Sequence, residues 1–148
     1  YAQAGITYYI LVHGYQGETG DFNIGSPMTT EFPTQVPTTT FSPTASAPAN
    51  DLCEEAVSLE FNSGELVLGT TVGAREDSFP SCFFDGLESR RGVWYTVSGG
   101  DAWTSIELCE GTTFDTFVHV FEGASCGELT CIGENDDAPG FQCGENGR

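Results

Sequence analysis

Residues 92–137, GVWYTVSGGDAWTSIELCEGTTFDTFVHVFEGASCGELTCIGENDD, decide how the chain is read. Four short apolar runs, VWYTV, TSIEL, TFVHVF and ELTCI, stand close together here, each closed by Gly, Ser, Thr, Asn or Asp. Strands recurring about every 8–12 residues with turn signals between them predict an antiparallel sandwich or barrel. Alternation is clearest from Phe117 to Phe121, where Val118 and Val120 share one face and Phe117, His119 and Phe121 the other. Apolar residues on both faces place this strand inside two layers. The expected fold is all-β: an antiparallel two-layer β-sandwich of jelly-roll type.

Upstream, residues 50–91 open the same globular part. Asn50-Asp51-Leu52-Cys53 has the composition to cap a short turn. Leu59-Glu60-Phe61 and Glu65 to Gly69 read as short strands around Asn62-Ser63-Gly64, and Thr70 to Ala74 as extended chain. Ser78 to Arg91 reads as a loop that carries Cys82 and the adjacent Arg90 and Arg91. Beyond Asp137, DAPGFQCGENGR reads as loop again.

Residues 1–26 read as a β-hairpin, with Thr7 to Tyr15 as one strand, Gln16 to Gly20 as the turn and Asp21 to Gly25 as the return. Tyr8, Ile10 and Val12 lie on one face of the first strand, and Tyr9, Leu11 and His13 on the other. An isolated two-stranded ribbon is marginal in water, and this one is too apolar to be left exposed. It needs a sheet to join. Residues 27–49 change character: five of the seven Pro are here among Thr, Ser and Ala, and Glu31 is the one charge. Such a stretch is a stiff, extended linker, able to reach roughly 75 Å when fully drawn out. Its composition suits O-glycosylation, with Thr34, Thr38, Thr39, Thr40, Ser42, Thr44 and Ser46 as candidates, and no Asn-x-Ser/Thr acceptor exists for N-glycans.

The 148 residues suit one domain with some extra, and no run of eighteen apolar residues predicts a membrane span. Tyr1 opens no signal peptide, as expected of a processed or partial chain. Asp and Glu number 22 against 4 basic residues, for a net charge of −18. Charge of that sign disfavours nucleic acid and anionic membranes as partners and favours cations, glycans or plain solubility outside a cell. Six Cys without a CxxC argue for disulfides and an oxidising compartment. Zinc is the alternative, with His13 and His119 as possible ligands, but neither stands at ligand spacing from a Cys pair. Cys126 and Cys131 bracket a short turn and form the easiest local pair. The other four cannot be connected from sequence alone, and Cys53–Cys109 with Cys82–Cys143 is the working expectation.

The succession NDLCEEA, TTVGA, a Cys-bearing loop, GVWYTVSG, IELCEGTTFDTFVHVFEG and LTCIGENDD resembles the bacterial pre-peptidase C-terminal domain family and its Cys-rich relatives. In that family a segment like AGITYYILVHGYQGETGDFNIG closes the domain. Here it stands at residues 4–25, ahead of the domain it should end. The chain therefore looks like the tail of one module, a linker, and the start of the next, with residues 50–148 a sandwich lacking its last strands. Three arrangements follow: a permuted monomer, a ribbon donated to a neighbouring copy, or a covalent repeat in which Arg148 leads into another such unit. The last two give a linear assembly of copies of the chain. Thr7, Tyr8, Tyr9, Ile10, Leu11, Val12, Asp21, Phe22 and Ile24 would be the joining strands. The expected function is a structural protomer or repeat of a secreted, extracellular filament. The alternative is an accessory module that binds polysaccharide or protein for a secreted enzyme or surface protein.

Asp115, Glu134, Asn135, Asp136 and Asp137 offer hard oxygen ligands for calcium, although their spacing fits no EF-hand loop. The other reading has Asp115 and Asp136 or Asp137 holding tight turns through backbone N–H groups. No nucleophile elbow, HExxH or phosphate loop occurs, and the resemblance implies an accessory rather than a catalytic part, so no enzyme is expected. Trp94 inside VWYTV reads as core, whereas Trp103 beside Gly99-Gly100 reads as exposed and able to stack on a ligand.

Overall fold

The computed structural model describes residues 1–25, 46–60, 66–83, 86–108 and 111–136. Among these, eight strands follow in chain order: β1 (Thr7–Gly14), β2 (Asp21–Gly25), β3 (Val57–Leu59), β4 (Leu66–Thr70), β5 (Glu76–Pro80), β6 (Leu87–Ser98), β7 (Thr116–Glu122) and β8 (Thr130–Asn135). The main sheet runs β3-β6-β1-β7-β8, with β5 paired to the first half of β6, and β2 and β4 form a second, small sheet. Pairing is antiparallel except between β3 and β6. The all-β, disulfide-stapled sandwich expected from the sequence is the fold found.

β1 occupies the centre. It pairs with β6 from Thr7↔Ser98 to His13↔Gly92 and with β7 from Tyr8↔Glu122 to Gly14↔Thr116. Alternation along TYYILVH divides its side chains between two cores. Ile10 and Val12 join Phe22, Ile24, Val93, Tyr95 and Val97 between the two sheets. Leu11 joins Cys53, Phe79, Trp94 and Phe121 on the opposite face. Ile10, Leu11 and Val12 are fully buried, and each such side chain stabilises the fold by about 1.5–3 kcal/mol relative to exposure.

Residues 1–26 are therefore not a hairpin. Both edges of β1 are taken by β6 and β7, so β2 crosses to the second sheet and pairs with β4 instead. The turn between them includes Gln16 at φ 50° and Gly17 at φ 86°, backbone that favours Gly. In this one chain the ribbon fills the vacancy in its own residues 50–136.

The expected loop at Ser78–Arg91 is largely a strand pair, β5 with the start of β6. Glu76 stands opposite Arg91 and Asp77 opposite Arg90, and opposite charges across a ladder stabilise it. Asp77 also accepts the Trp94 indole N–H at 2.8 Å, and Phe79 is buried beneath. TSIEL does not form a strand of its own. Ile106 and Leu108 pack into the inter-sheet core, and Glu107 makes one reciprocal backbone bridge with Gly25. Thr70 to Ala74 is not extended throughout but turns at Gly73, φ 84°, with Ala74 N–H donating to the Thr71 carbonyl at 3.1 Å. The short turn Cys53–Glu55 has Leu52 at its N-cap and no side-chain cap hydrogen bond. Asn50 brackets Trp94 through its side-chain amide and its carbonyl, and buried Asp51 holds the Arg75 backbone and guanidinium.

The disulfides also correct the expectation. Cys126 and Cys131 are not partners: Cys53 pairs with Cys126, and Cys82 with Cys131. β7 and β8 already hold the Cys126–Cys131 turn, and each Cys points to a different neighbouring loop. The two bridges close 73 and 49 residues, each adding about 4 kcal/mol in the chain-entropy model. Cys109 and Cys143, the expected partners of Cys53 and Cys82, lie outside the described residues. So do Thr34, Thr38, Thr39, Thr40, Ser42, Thr44 and Asp137, whereas Ser46 is described and exposed. None of the described helices is long and apolar enough to cross a membrane.

Candidate functional site

The antiparallel register of β1 with β7 sets Leu11 opposite His119 and His13 opposite Phe117. His13 and His119 are thus diagonal neighbours on one face, the distance at which long side chains meet. Gly92 stands across from His13 on β6, and a Cβ there would come within 3.1 Å of the His13 Cβ and 2.7 Å of the Val12 carbonyl. Aromatic rings enclose the pair: Phe117 stacks on His13 with centroids 5.0 Å apart, and Phe79 lies 4.9 Å from His119. The two imidazoles are 3% and 2% exposed. Their Nε2 atoms are 3.1 Å apart.

The remote nitrogens are also placed. His13 Nδ1 lies 3.0 Å from the Gly14 carbonyl. β8 sets Glu134 opposite His119, and its Oε2 lies 3.4 Å from His119 Nδ1. Both of those atoms are buried and have no hydrogen-bond partner. A recess of about 560 Å³ opens beside the pair, bordered by Tyr15, Glu88, Arg90 and Glu134.

Proton accounting constrains the cluster. A carbonyl only accepts, so His13 carries its proton on Nδ1 and, when neutral, presents a bare lone pair at Nε2. His119 must then donate from its own Nε2, which leaves its Nδ1 bare toward Glu134. The contact to Glu134 is satisfied only if either Glu134 or His119 holds one further proton. Burial, then the neighbouring His13, pulls His119 down to about 4. Burial also lowers His13, against the hydrogen bond to Gly14. Burial raises Glu134, with Glu88 and Asp136 adding to it. Burial thus favours the neutral form of each of the three side chains, and a hydrogen-bond chain runs from His119 through His13 to the Gly14 carbonyl.

Of the acidic residues read as a calcium set, Asp137 lies outside the described residues, and no three of the described carboxylates stand within 4.8 Å of one another. Glu134 turns to His119, Asn135 pairs with Val118 at the end of β8 and is exposed, and Asp136 follows it. Asp115 serves the β1–β2 turn: its carbonyl accepts from Tyr15 N–H at 2.9 Å and its own N–H donates to Glu18 at 3.0 Å. Among the described residues, the one group of three or more potential ligands within 4.8 Å of each other is Cys82, His119 and Cys131, whose two sulfurs are joined as a disulfide. The joining residues Thr7, Tyr8, Tyr9, Ile10, Leu11 and Val12 all lie in β1, and Asp21, Phe22 and Ile24 in β2. Trp94 is buried, and Trp103 is 82% exposed against Tyr1, ring centroids 5.8 Å apart.

The sequence offered His13 and His119 as possible zinc ligands but not their contact, since 106 residues separate them. The signal available in the sequence was a His at the same parity as apolar neighbours on two separate strands. Comparison with known proteins found no family model, no curated protein and no solved structure that matches the chain.

Proposed function

We propose that the chain is a structural protomer of an extracellular filament, each sandwich completed by the N-terminal strands of the next copy. The observation that carries this is the position of β1. It is the central strand, bonded along both edges and buried on both faces, yet it joins the remainder of the domain through the Pro/Thr-rich residues 27–49. A linker of that length and composition permits the same register to form with a neighbour's β6 and β7, an exchange of identical elements that costs few contacts. Exchange that proceeds head to tail without closing makes a fibre. The acidic surface, the disulfides and the resemblance to secreted accessory modules support an extracellular place for it.

Thr7 faces Ser98 across β1 and β6, so Thr7→Cys with Ser98→Cys reports which chain supplies the strand. Oxidation is expected to give a ladder of covalent multimers on a non-reducing gel, with long particles in negative stain. A single monomer band without particles sinks strand exchange. A second reading, a module that binds glycan, is favoured by the exposed Trp103–Tyr1 pair. A monomer shifting on a glycan array, with the shift lost in Trp103→Ala, would support it.

A further inference from the structure

We propose that His13 and His119 form a two-imidazole site for a divalent transition-metal ion of the zinc or copper class, reached through the recess beside Glu88, Arg90 and Tyr15. This site is independent of whether the chain polymerises. Metal–imidazole bonds are about 2.0–2.1 Å long, so two on one ion hold their nitrogens about 2.9 Å apart at a right angle and about 3.4 Å at the tetrahedral angle. The observed Nε2···Nε2 separation of 3.1 Å falls between them. An ion needs a lone pair on each Nε2, and so both imidazoles with their proton on Nδ1. The Gly14 carbonyl takes the Nδ1 proton of His13; binding an ion would move the proton of His119 from Nε2 to Nδ1, which faces Glu134 Oε2 at 3.4 Å. A carbonyl and a carboxylate behind the remote nitrogens are the partners that orient metal-bound imidazoles.

Imidazole nitrogen selects zinc, copper or nickel over calcium and magnesium. The ion would thus differ from one held by loop carboxylates. Cys82 and Cys131 add no thiolate while bonded to each other, so the protein contributes nitrogen alone. The remaining positions face the recess, open to water or a small ligand. Arg90 opposes a cation there, and Glu88 and Glu134 offset it.

The test uses the full, tag-free chain stripped with chelator, titrated with Cu²⁺ in excess Mg²⁺ and Ca²⁺ to occupy surface carboxylates. One ion per chain is expected, with an electron paramagnetic resonance spectrum showing two imidazole nitrogens. Isothermal titration with Zn²⁺ should show at least a tenfold loss of affinity in His119→Phe and in His13→Gln. Oxygen-only coordination, binding abolished by the added Ca²⁺, or unchanged affinity in both folded variants would each overturn the site. If neither variant folds, the spectrum of the unaltered chain decides.

Discussion

β1 meets two different surroundings across the thickness of one strand. Its even-numbered residues, Ile10 and Val12, enter an apolar core between the sheets that includes Phe22, Ile24 and Val97. Its odd-numbered residues, Leu11 and His13, enter a core that also holds Trp94, Cys53, His119 and, at its margin, Glu134. Both faces are buried, so burial does not separate them. One is satisfied by any close-packed hydrocarbon. The other is satisfied only when protons or a cation are distributed correctly among buried polar atoms, and it is therefore sensitive to solution conditions.

Four measurements test that contrast. Breaking the staple on the polar side with Cys53→Ser and Cys126→Ser together should cost about 4 kcal/mol in urea denaturation. Retained stability would show that β1 holds this face without it. Ile10→Ala on the apolar side should cost about 3 kcal/mol, as a cavity among fixed neighbours, and the loss should be equal at pH 7.5 and pH 5. A pH-dependent loss would mean the two faces are coupled.

The polar face itself should respond to acid. With chelator present, the unfolded chain protonates its His near 6.5, whereas folded His119 resists down to about 4. Its contribution is complete above about 6.5 and declines as pH falls from there toward 4. Glu134, raised by burial, works in the opposite sense, gaining stability as pH falls. The net loss expected between pH 7 and pH 4.5 is about 1–3 kcal/mol, and His119→Phe should flatten it. An identical slope in that variant would place the titration elsewhere. Smallest of all, Trp103→Ala should change stability by less than about 0.5 kcal/mol, because the side chain is 82% exposed. A larger change would show that Trp103 carries packing, and would weaken the glycan-binding reading.

Much of the architecture was legible in residue order. VWYTV, TFVHVF and TYYILVH alternate with period two and became β6, β7 and β1. The parity of Ile10 against Leu11 correctly divided the two cores. EDSFP was not legible as a strand, because its inward residue Asp77 is polar and finds its partner, the Trp94 indole, only across the fold. TSIEL misled for the opposite reason: its apolar residues plug a core edge without a ladder to join. For the disulfides, nearness in sequence favoured Cys126–Cys131, but both lie beside a β7–β8 ladder that fixes them toward other loops.

Periodicity and composition alone determined that this chain is β, that it is acidic and disulfide-bearing, and that its N-terminal ribbon must be covered. Those are local properties, set by which side of a strand a residue faces and by how much apolar surface it carries. Which strands become neighbours was decided only in three dimensions. Pairing β1 with β7 brings together His13 and His119, and pairing β7 with β8 adds Glu134. A register that joins positions 106 residues apart depends on the whole sheet, and no local pattern records it.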